Sequence, residues 1–342
     1  MPSSLGVSVV IPLHNRANLV RYTLDSLDPR LHPGVDLEVV VVDDGSTDGS
    51  DEVVEKYYPW IRLMRQKQAG APAARNAGSA VARHDFIVYL DSDDVVEPAF
   101  FRQRIAVLAG NPEASFVLAS YAHFEGEGHP SEGVSIPFRS GDRQDGLIPI
   151  RDLLSRYLGG KYVPPHSIVW RKEVLERIGG HDTNLHVNQD VDLVVRALLR
   201  GFQPYGSSGP RAWKRVHRSS GQGNIGSSKE KVGDILLLRR RWEHLLRSGD
   251  LADKEMRTAL GCSCAKAWVA CRGADPVAAR VLLELSKGLT DRPLADARWV
   301  WRAIARIVGG EKALLLRGFL GPKVVRPGLM RFSRVWNPPN VA

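Results

Sequence analysis

No apolar run in this chain approaches the roughly 20 residues of a membrane-spanning helix, which argues against an integral helical membrane protein. The first candidate strand begins at Val7 and leaves no room for a secretory leader, so the expected location is the cytoplasm. Cysteine is scarce. Cys262, Cys264 and Cys271 sit close together without a neighbouring histidine, a pattern that fits buried reduced thiols rather than a zinc centre. The first loop also lacks the Gly-rich, Lys-containing phosphate cradle that attack on an α-phosphate needs, which disfavours a nucleotidyltransferase. There is no repeat and no low-complexity tract. The 342 residues, 43% hydrophobic and 25% charged, have the balance of a globular protein able to bury one large domain with an appendage.

Charge is unevenly placed. Residues 1–225 carry 25 Lys and Arg against 27 Asp and Glu, whereas residues 226–342 carry 22 against 11, so the net +9 comes wholly from the C-terminal third. After Asp296 there are nine bases against the single acid Glu311, interleaved with Trp299, Trp301, Phe319, Phe332 and Trp336. Such a surface suits an anionic membrane or a nucleic acid; residues 297–342 are taken as a candidate peripheral membrane contact, with nucleic acid the less favoured partner. A solvated basic face on a helical subdomain is the plainer alternative. The break in character falls at the polar, Gly- and Ser-rich stretch 219–228, which divides the chain into residues 1–225 and a mostly helical region 226–342.

The densest chemical signal is Phe86-Ile87-Val88-Tyr89-Leu90 running into Asp91-Ser92-Asp93-Asp94. The apolar run reads as a buried strand that delivers three carboxylates to its carboxyl end, where ligands bind in open α/β sheets. Carboxylates crowded this closely repel one another unless a cation lies among them, and hard oxygen ligands suit Mg²⁺ or Mn²⁺. A solvated acidic turn would look the same in isolation. The device recurs upstream, where Val39-Val40-Val41-Val42 ends in Asp43-Asp44-Gly45-Ser46. Two further strands are expected, one from Val7 to Pro12 leading into His14-Asn15-Arg16, the other Ile61 to Met64 leading into Gly70-Ala71-Pro72-Ala73-Ala74-Arg75-Asn76-Ala77-Gly78. Leu19, Val20, Thr23, Leu24 and Leu27 have helical spacing between them. Alternation at this pitch implies an α/β fold with parallel crossovers and a sheet covered on both faces.

In this order, VSVVIPLHNR, VVVVDDGSTD, GAPAARNAG and YLDSDD resemble the nucleotide-binding half of the inverting family 2 glycosyltransferases of GT-A fold. The resemblance runs over roughly residues 5–220 and includes Gly179-Gly180-His181-Asp182 and Asn188-Gln189-Asp190-Val191-Asp192-Leu193, where the family has a Glu-Asp pair opening a helix and this chain has Gln189 in place of Glu. It implies a nucleotide-diphosphate sugar donor, with UDP or dTDP as carrier, and a glycan, lipid-linked or other hydroxyl acceptor in cell-envelope polysaccharide or glycoconjugate synthesis. It also implies Mn²⁺ or Mg²⁺ held by Asp91, Asp93 and Asp94. Donor contacts would come from Pro12, Asn15, Asp44, Arg75, Asp91, Ser92, Asp93 and His217, with Asp44 accepting the base N–H. Asp190 becomes the candidate catalytic base, since a helix N-terminus keeps a carboxylate ionised and Asp192, two residues on, points elsewhere. Plainer roles exist for each: Asp44 as the cap of a helix beginning near Ser50, Arg75 as a surface arginine, His217 as a structural histidine, Asp190 as a helix cap.

Two readings from other classes stay open at this level. Asp91-Ser92-Asp93-Asp94-Val95 fits the Asp-x-Asp-x-Thr/Val pattern of haloacid dehalogenase-like phosphatases, although that family carries it on its first strand and here it follows about the fourth. A non-catalytic module using the basic tail for nucleic acid or protein is the other. The stretches 125–146 and 205–228 are expected to be loops on the acceptor side.

Overall fold

The computed structural model describes residues 5–126, 128, 135–136, 145–160, 163–216, 228–249, 251–271 and 273–290. His217, the proposed boundary near residue 225 and the basic segment 297–342 lie outside the described residues.

Strands and helices alternate through the N-terminal half: β1 (Leu5–Leu13), α1 (Val20–Asp25), β2 (Val35–Asp43), α2 (Ser50–Tyr57), β3 (Arg62–Arg65), α3 (Ala71–Val81) and β4 (Phe86–Tyr89). Then follow β5 (Val95–Val96), α4 (Phe100–Gly110), β6 (Phe116–Glu125), β7 (Ser135–Ile136), β8 (Gly146–Leu147), α5 (Ile150–Leu158), β9 (Ile168–Arg171), α6 (Lys172–Ile178), α7 (Gln189–Leu199) and β10 (Pro204–Val216). Three long helices close the described chain: α8 (Lys229–Arg247), α9 (Lys254–Cys271) and α10 (Pro276–Leu289).

The strands form one mixed sheet in the order β3-β2-β1-β4-β9-β6-β10-β5, with β7 beside β6 and β8 beside β10. β1, β2, β3 and β4 run parallel, as the crossovers require. β9 is inserted antiparallel to both β4 and β6. That insertion brings the start of β9, and the short turn Pro165–Ser167 before it, to the carboxyl end of β4.

The valine-rich strands form because β-branched side chains suit a pleated surface covered on both sides. Val39 and Val41 pack into the cluster around α1 and α4, while Val40 and Val42 pack against Ala74 of α3 on the opposite face. On α3, Gly78 permits the closest approach of helix to sheet. A Cβ there would stand 2.4 Å from Val10 Cγ1 and 3.3 Å from Val42 Cγ2.

The C-terminal helices share a core with the sheet domain. Leu238 and Trp242 of α8 and Met256 and Leu260 of α9 are buried in one cluster with Tyr157 of α5 and Leu193 of α7. Buried positions on α8 recur at Val232, Ile235, Leu238, Trp242 and Leu246, the spacing of a one-sided helix.

Sequence reading takes 205–228 as loop, but residues 204–216 form the long strand β10, parallel to β6. Gly- and Ser-rich sequence has little intrinsic strand preference, and pairing with β6 overrides it. The register slips between Ser207 and Ala212, and the fully buried Arg104 closes the irregularity by donating to the Ser208 and Pro210 carbonyls at 3.0 and 2.6 Å. Within 125–146 the described residues include the short strand β7 and the first residue of β8.

Because α3 has no slack against β1, Gly78→Leu is expected to cost about 1–3 kcal/mol through overpacking. A lower urea midpoint at unchanged slope would show it.

Candidate active site

The carboxyl ends of β1, β2 and β4 and the start of α3 enclose a cleft of about 220 Å³ lined by Pro12, Leu13, His14, Arg16, Asp44, Ala71, Asp91, Ser92 and Asp93. Most of the expected donor-binding residues therefore converge, though not all face the cleft in the same way.

Asp44 is 3% exposed and its carboxylate accepts from Gln66 Nε2 at 2.7 Å and from the backbone N–H groups of Ala69 and Gly70, both at 2.8 Å. It thus braces the loop that leads into α3. It does not cap α2, whose first turn is served by Asp48 Oδ1 accepting from Ser50 N–H at 3.0 Å. Asn15, in the left-handed region at φ 50°, turns its amide to the neighbouring loop, where Oδ1 accepts from Thr47 N–H at 2.8 Å. Between them lies His14, to which sequence reading assigns no role. Its Nδ1 donates to the Asp44 carbonyl at 3.0 Å, leaving Nε2 facing the Asn15 and Gln68 amides at 3.3 and 3.2 Å.

The four residues of the DSDD turn point in different directions. Asp93 lies at the cleft mouth, with Arg16 Nε 3.8 Å from its Oδ2. Asp94 is 1% exposed and faces inward, where its Oδ1 accepts from Arg215 N–H at 2.7 Å and its Oδ2 stands 2.7 Å from Nδ1 of the fully buried His166. Arg215 also donates from Nε to the Asp93 carbonyl at 2.9 Å, so β10 grips the turn from one side and His166 from the other. Sequence reading missed His166. The Pro164-Pro165 pair before it marks a turn, but only the antiparallel insertion of β9 places that turn under β4.

Arg75 joins the DSDD turn to the candidate base. Its side chain is 5% exposed, Nη2 donates to Asp91 Oδ1 at 2.6 Å, and Nη1 lies 3.3 Å from Asp190 Oδ1. The surface-arginine alternative is thereby overturned. Burial works against the ionised carboxyls, but the guanidinium prevails and holds both Asp91 and Asp190 below the ordinary carboxylate range, with Lys214 adding a weaker positive field. Asp190 sits in the first turn of α7, where Asn188 occupies the cap position, so it is not the cap itself. His181 Nε2 is 3.3 Å from the same Asp190 oxygen.

Asp192 belongs to another neighbourhood. Fully buried, it accepts from Arg196 Nε at 2.7 Å and Trp242 Nε1 at 3.1 Å, and Arg241 Nη1 approaches at 3.4 Å. α8 thus fastens the start of α7. It also takes the loop before it, through Asp234 accepting from His186 N–H at 2.6 Å and Arg241 pairing with Asp182 at 2.7 Å.

One carboxylate oxygen each from Asp91 and Asp94 and one ring nitrogen of His166 lie within 4.8 Å of one another. Hard oxygens with one imidazole suit a divalent cation, which Asp91, Asp94 and His166 could hold.

Similarity to known proteins agrees with this architecture. The profile of Glycosyl transferase family 2 matches residues 8–179, and the chain belongs to that family. The pre-mycofactocin glycosyltransferase of Mycobacterium tuberculosis is 30% identical over 204 residues, covering 58% of this chain and 40% of the relative. An uncharacterized Escherichia coli glycosyltransferase, YibD, is 38% identical over 104 residues, 30% of each chain. The chain therefore spans less than half the length of either curated relative. Among solved structures, Staphylococcus aureus TarS 1–349 in complex with UDP superposes with a TM-score of 0.60 at 18% identity, covering 83% of this chain and 87% of that one. The Pyrobaculum calidifontis mannosyltransferase PcManGT, solved with GDP-Man and Mn²⁺, superposes with a TM-score of 0.51 at 19% identity, covering 90% and 86%. The fold is GT-A, and family membership displaces the phosphatase reading of the Asp91–Asp93 motif.

Removing the shared cation should expose how much the site depends on it. Arg75→Met takes the guanidinium away from two partly buried carboxylates and is expected to cost about 1–3 kcal/mol at neutral pH. In the parent, Asp91 and Asp190 have depressed folded pKa values, so their contribution is fully present above about pH 4 and is lost as pH falls toward those values. In the variant, burial and mutual repulsion raise both, which favours the native state on acidification. The stability gap between parent and variant should narrow between about pH 7 and pH 4.5 in chemical denaturation.

Proposed function

We propose that this chain is a nucleotide-sugar glycosyltransferase that moves a sugar to an acceptor hydroxyl by a single displacement with inversion. The observation that carries the reading is the Arg75 guanidinium, bound at once to Asp91 of the donor turn and to Asp190 at the start of α7. Donor and acceptor sides are thereby held in one rigid frame, as in-line attack requires.

In this reading the donor base enters the cleft beside Pro12, His14 and Asp44, with UDP or dTDP as the carrier, and the remaining lone pair of Asp44 accepts its N–H. Asp91, Asp93 and Asp94, with His166 behind them, would hold Mn²⁺ or Mg²⁺, and Ser92 lies in the same turn. A bound divalent ion there supplies charge neutralisation for the departing diphosphate. The neighbour solved with Mn²⁺ supports that assignment by likeness of fold. Asp190 removes the proton of the acceptor hydroxyl as the acceptor oxygen bonds to the anomeric carbon. The anomeric carbon–oxygen bond breaks on the opposite face, and its electron pair leaves with the diphosphate. His217 as a further donor contact and residues 297–342 as a peripheral membrane contact complete the proposal. A lipid-linked or glycan acceptor in cell-envelope synthesis fits the relatives matched, among them the Bacillus subtilis minor teichoic acid biosynthesis protein GgaA. No helix among the described residues is long and apolar enough to cross a membrane, which is compatible with action at a cytoplasmic membrane face.

A panel of UDP-, dTDP- and GDP-sugars tests the donor assignment by metal-dependent hydrolysis and thermal shift. A donor at a hundred times its dissociation constant should stabilise the protein by about 2.7 kcal/mol. Asp93→Ala or EDTA is expected to abolish both signals; undiminished turnover in either case would refute the metal assignment. Asp190→Asn should lower transfer by roughly 10²- to 10⁴-fold while donor affinity changes little, because it keeps the shape but not the proton acceptor. Near-parental transfer by that variant would remove Asp190 from the role of base.

A further inference from the structure

The His181 side chain is fully buried in the loop between α6 and α7, and sequence reading assigns it no function. Its Nε2 lies 3.3 Å from Asp190 Oδ1, the same oxygen that Arg75 approaches at 3.3 Å. Both contacts fall on Oδ1, and no hydrogen bond to Oδ2 occurs among the described residues. The ring has little freedom to be elsewhere. It stands edge-on to Tyr89 at 4.7 Å, and its backbone is clamped by Asn76, which accepts from His181 N–H and donates to the His181 carbonyl, both at 2.8 Å. Just before it Gly180 takes φ +63°, and a Cβ there would come within 2.7 Å of Asn76 Oδ1, so the chain passes α3 without slack.

Only the Nε2–H tautomer sets a donor against the carboxylate; the other would oppose a lone pair to it. Nδ1 is buried and without a hydrogen-bond partner, consistent with a nitrogen that carries no proton. Burial also lowers the imidazole's tendency to protonate, so a neutral donor faces Asp190.

We propose that His181 is a positioning residue for the base: its Nε2–H and Arg75 together hold Asp190 Oδ1, so that Oδ2 is the oxygen aimed at the acceptor proton. The inference rests on the glycosyltransferase reading of the site. His181 does not touch the reacting atoms, and it acts through the orientation of Asp190.

The test compares His181→Phe, which keeps a ring against Tyr89 but removes the donor, with His181→Gln, whose amide N–H reaches about where Nε2 stands. The readout is kcat and KM for Mn²⁺-dependent hydrolysis of the nucleotide sugar selected from the panel, with donor-induced thermal shift as the check on folding. His181→Phe should lower kcat about 10- to 100-fold at an unchanged donor KM, since a hydrogen bond to a charged group is worth about that much. His181→Gln should recover at least about tenfold of the loss. Parental kcat in the Phe variant, equal impairment of both variants, or a rise in donor KM in step with the fall in kcat would overturn the inference. If the Phe variant fails to fold, His181→Leu takes its place in the comparison. A parent protein that neither binds nor hydrolyses any donor would instead refute the underlying glycosyltransferase reading, and the inference with it.

Discussion

The arrangement of this site depends on one buried cation. Asp91 lies just past the end of a strand and Asp190 in the first turn of a helix about a hundred residues later, and each would resist burial alone because desolvation favours the neutral form. Arg75 lies between them with a planar guanidinium that can serve two carboxylates at once. Its placement in turn requires α3 to sit tight on the sheet, which Gly78 allows by carrying no Cβ against Val10. The adjacent Asn76 uses the same helix to clamp the backbone of His181. Two neighbouring residues of α3 thus set the distance between the DSDD turn and the candidate base.

A second layer keeps the acidic turn in shape from beneath. Asp94 is directed inward by Arg215 of β10 and by His166, so Asp93 is left at the cleft mouth. Asp44 plays a comparable part on the other side, its three hydrogen bonds ordering the approach to α3 while it lines the cleft. Of these crowded carboxylates Asp94 is a brace, Asp93 faces the cleft and Asp44 does both. The helical region contributes as well. α8 holds the α7 start through Asp192 and the preceding loop through Asp182 and Asp234, which ties a region with no motif of its own to the placement of Asp190.

The strand-end acids were legible because an apolar β-branched run stopped by Asp and Gly is a local pattern, and the same holds for the Gly- and Ala-rich start of α3. Asp190 and Asp192 could be told apart in advance because helical geometry alone separates positions two residues apart. His166 and His181 carried no such signal: a lone histidine after a Pro-Pro turn, or after two glycines, acquires meaning only from what lies opposite it. β10 was hidden for the same reason, since its Gly- and Ser-rich sequence is a strand through pairing with β6 and the hold of Arg104 on its bulge.

The sequence by itself determined the strand ends where the acids gather, through short-range periodicity, and the GT-A class and the candidate carboxylates, through the family resemblance that its ordered motifs carry. Tertiary structure alone decided which acids line the cleft and which are braces, that Arg75 serves two of them, and that α8 holds the start of α7 through Asp192. The reason is physical: the direction and charge state of a buried polar group are set by partners that crossovers and an antiparallel insertion bring from far along the chain, and sequence neighbours carry no record of them.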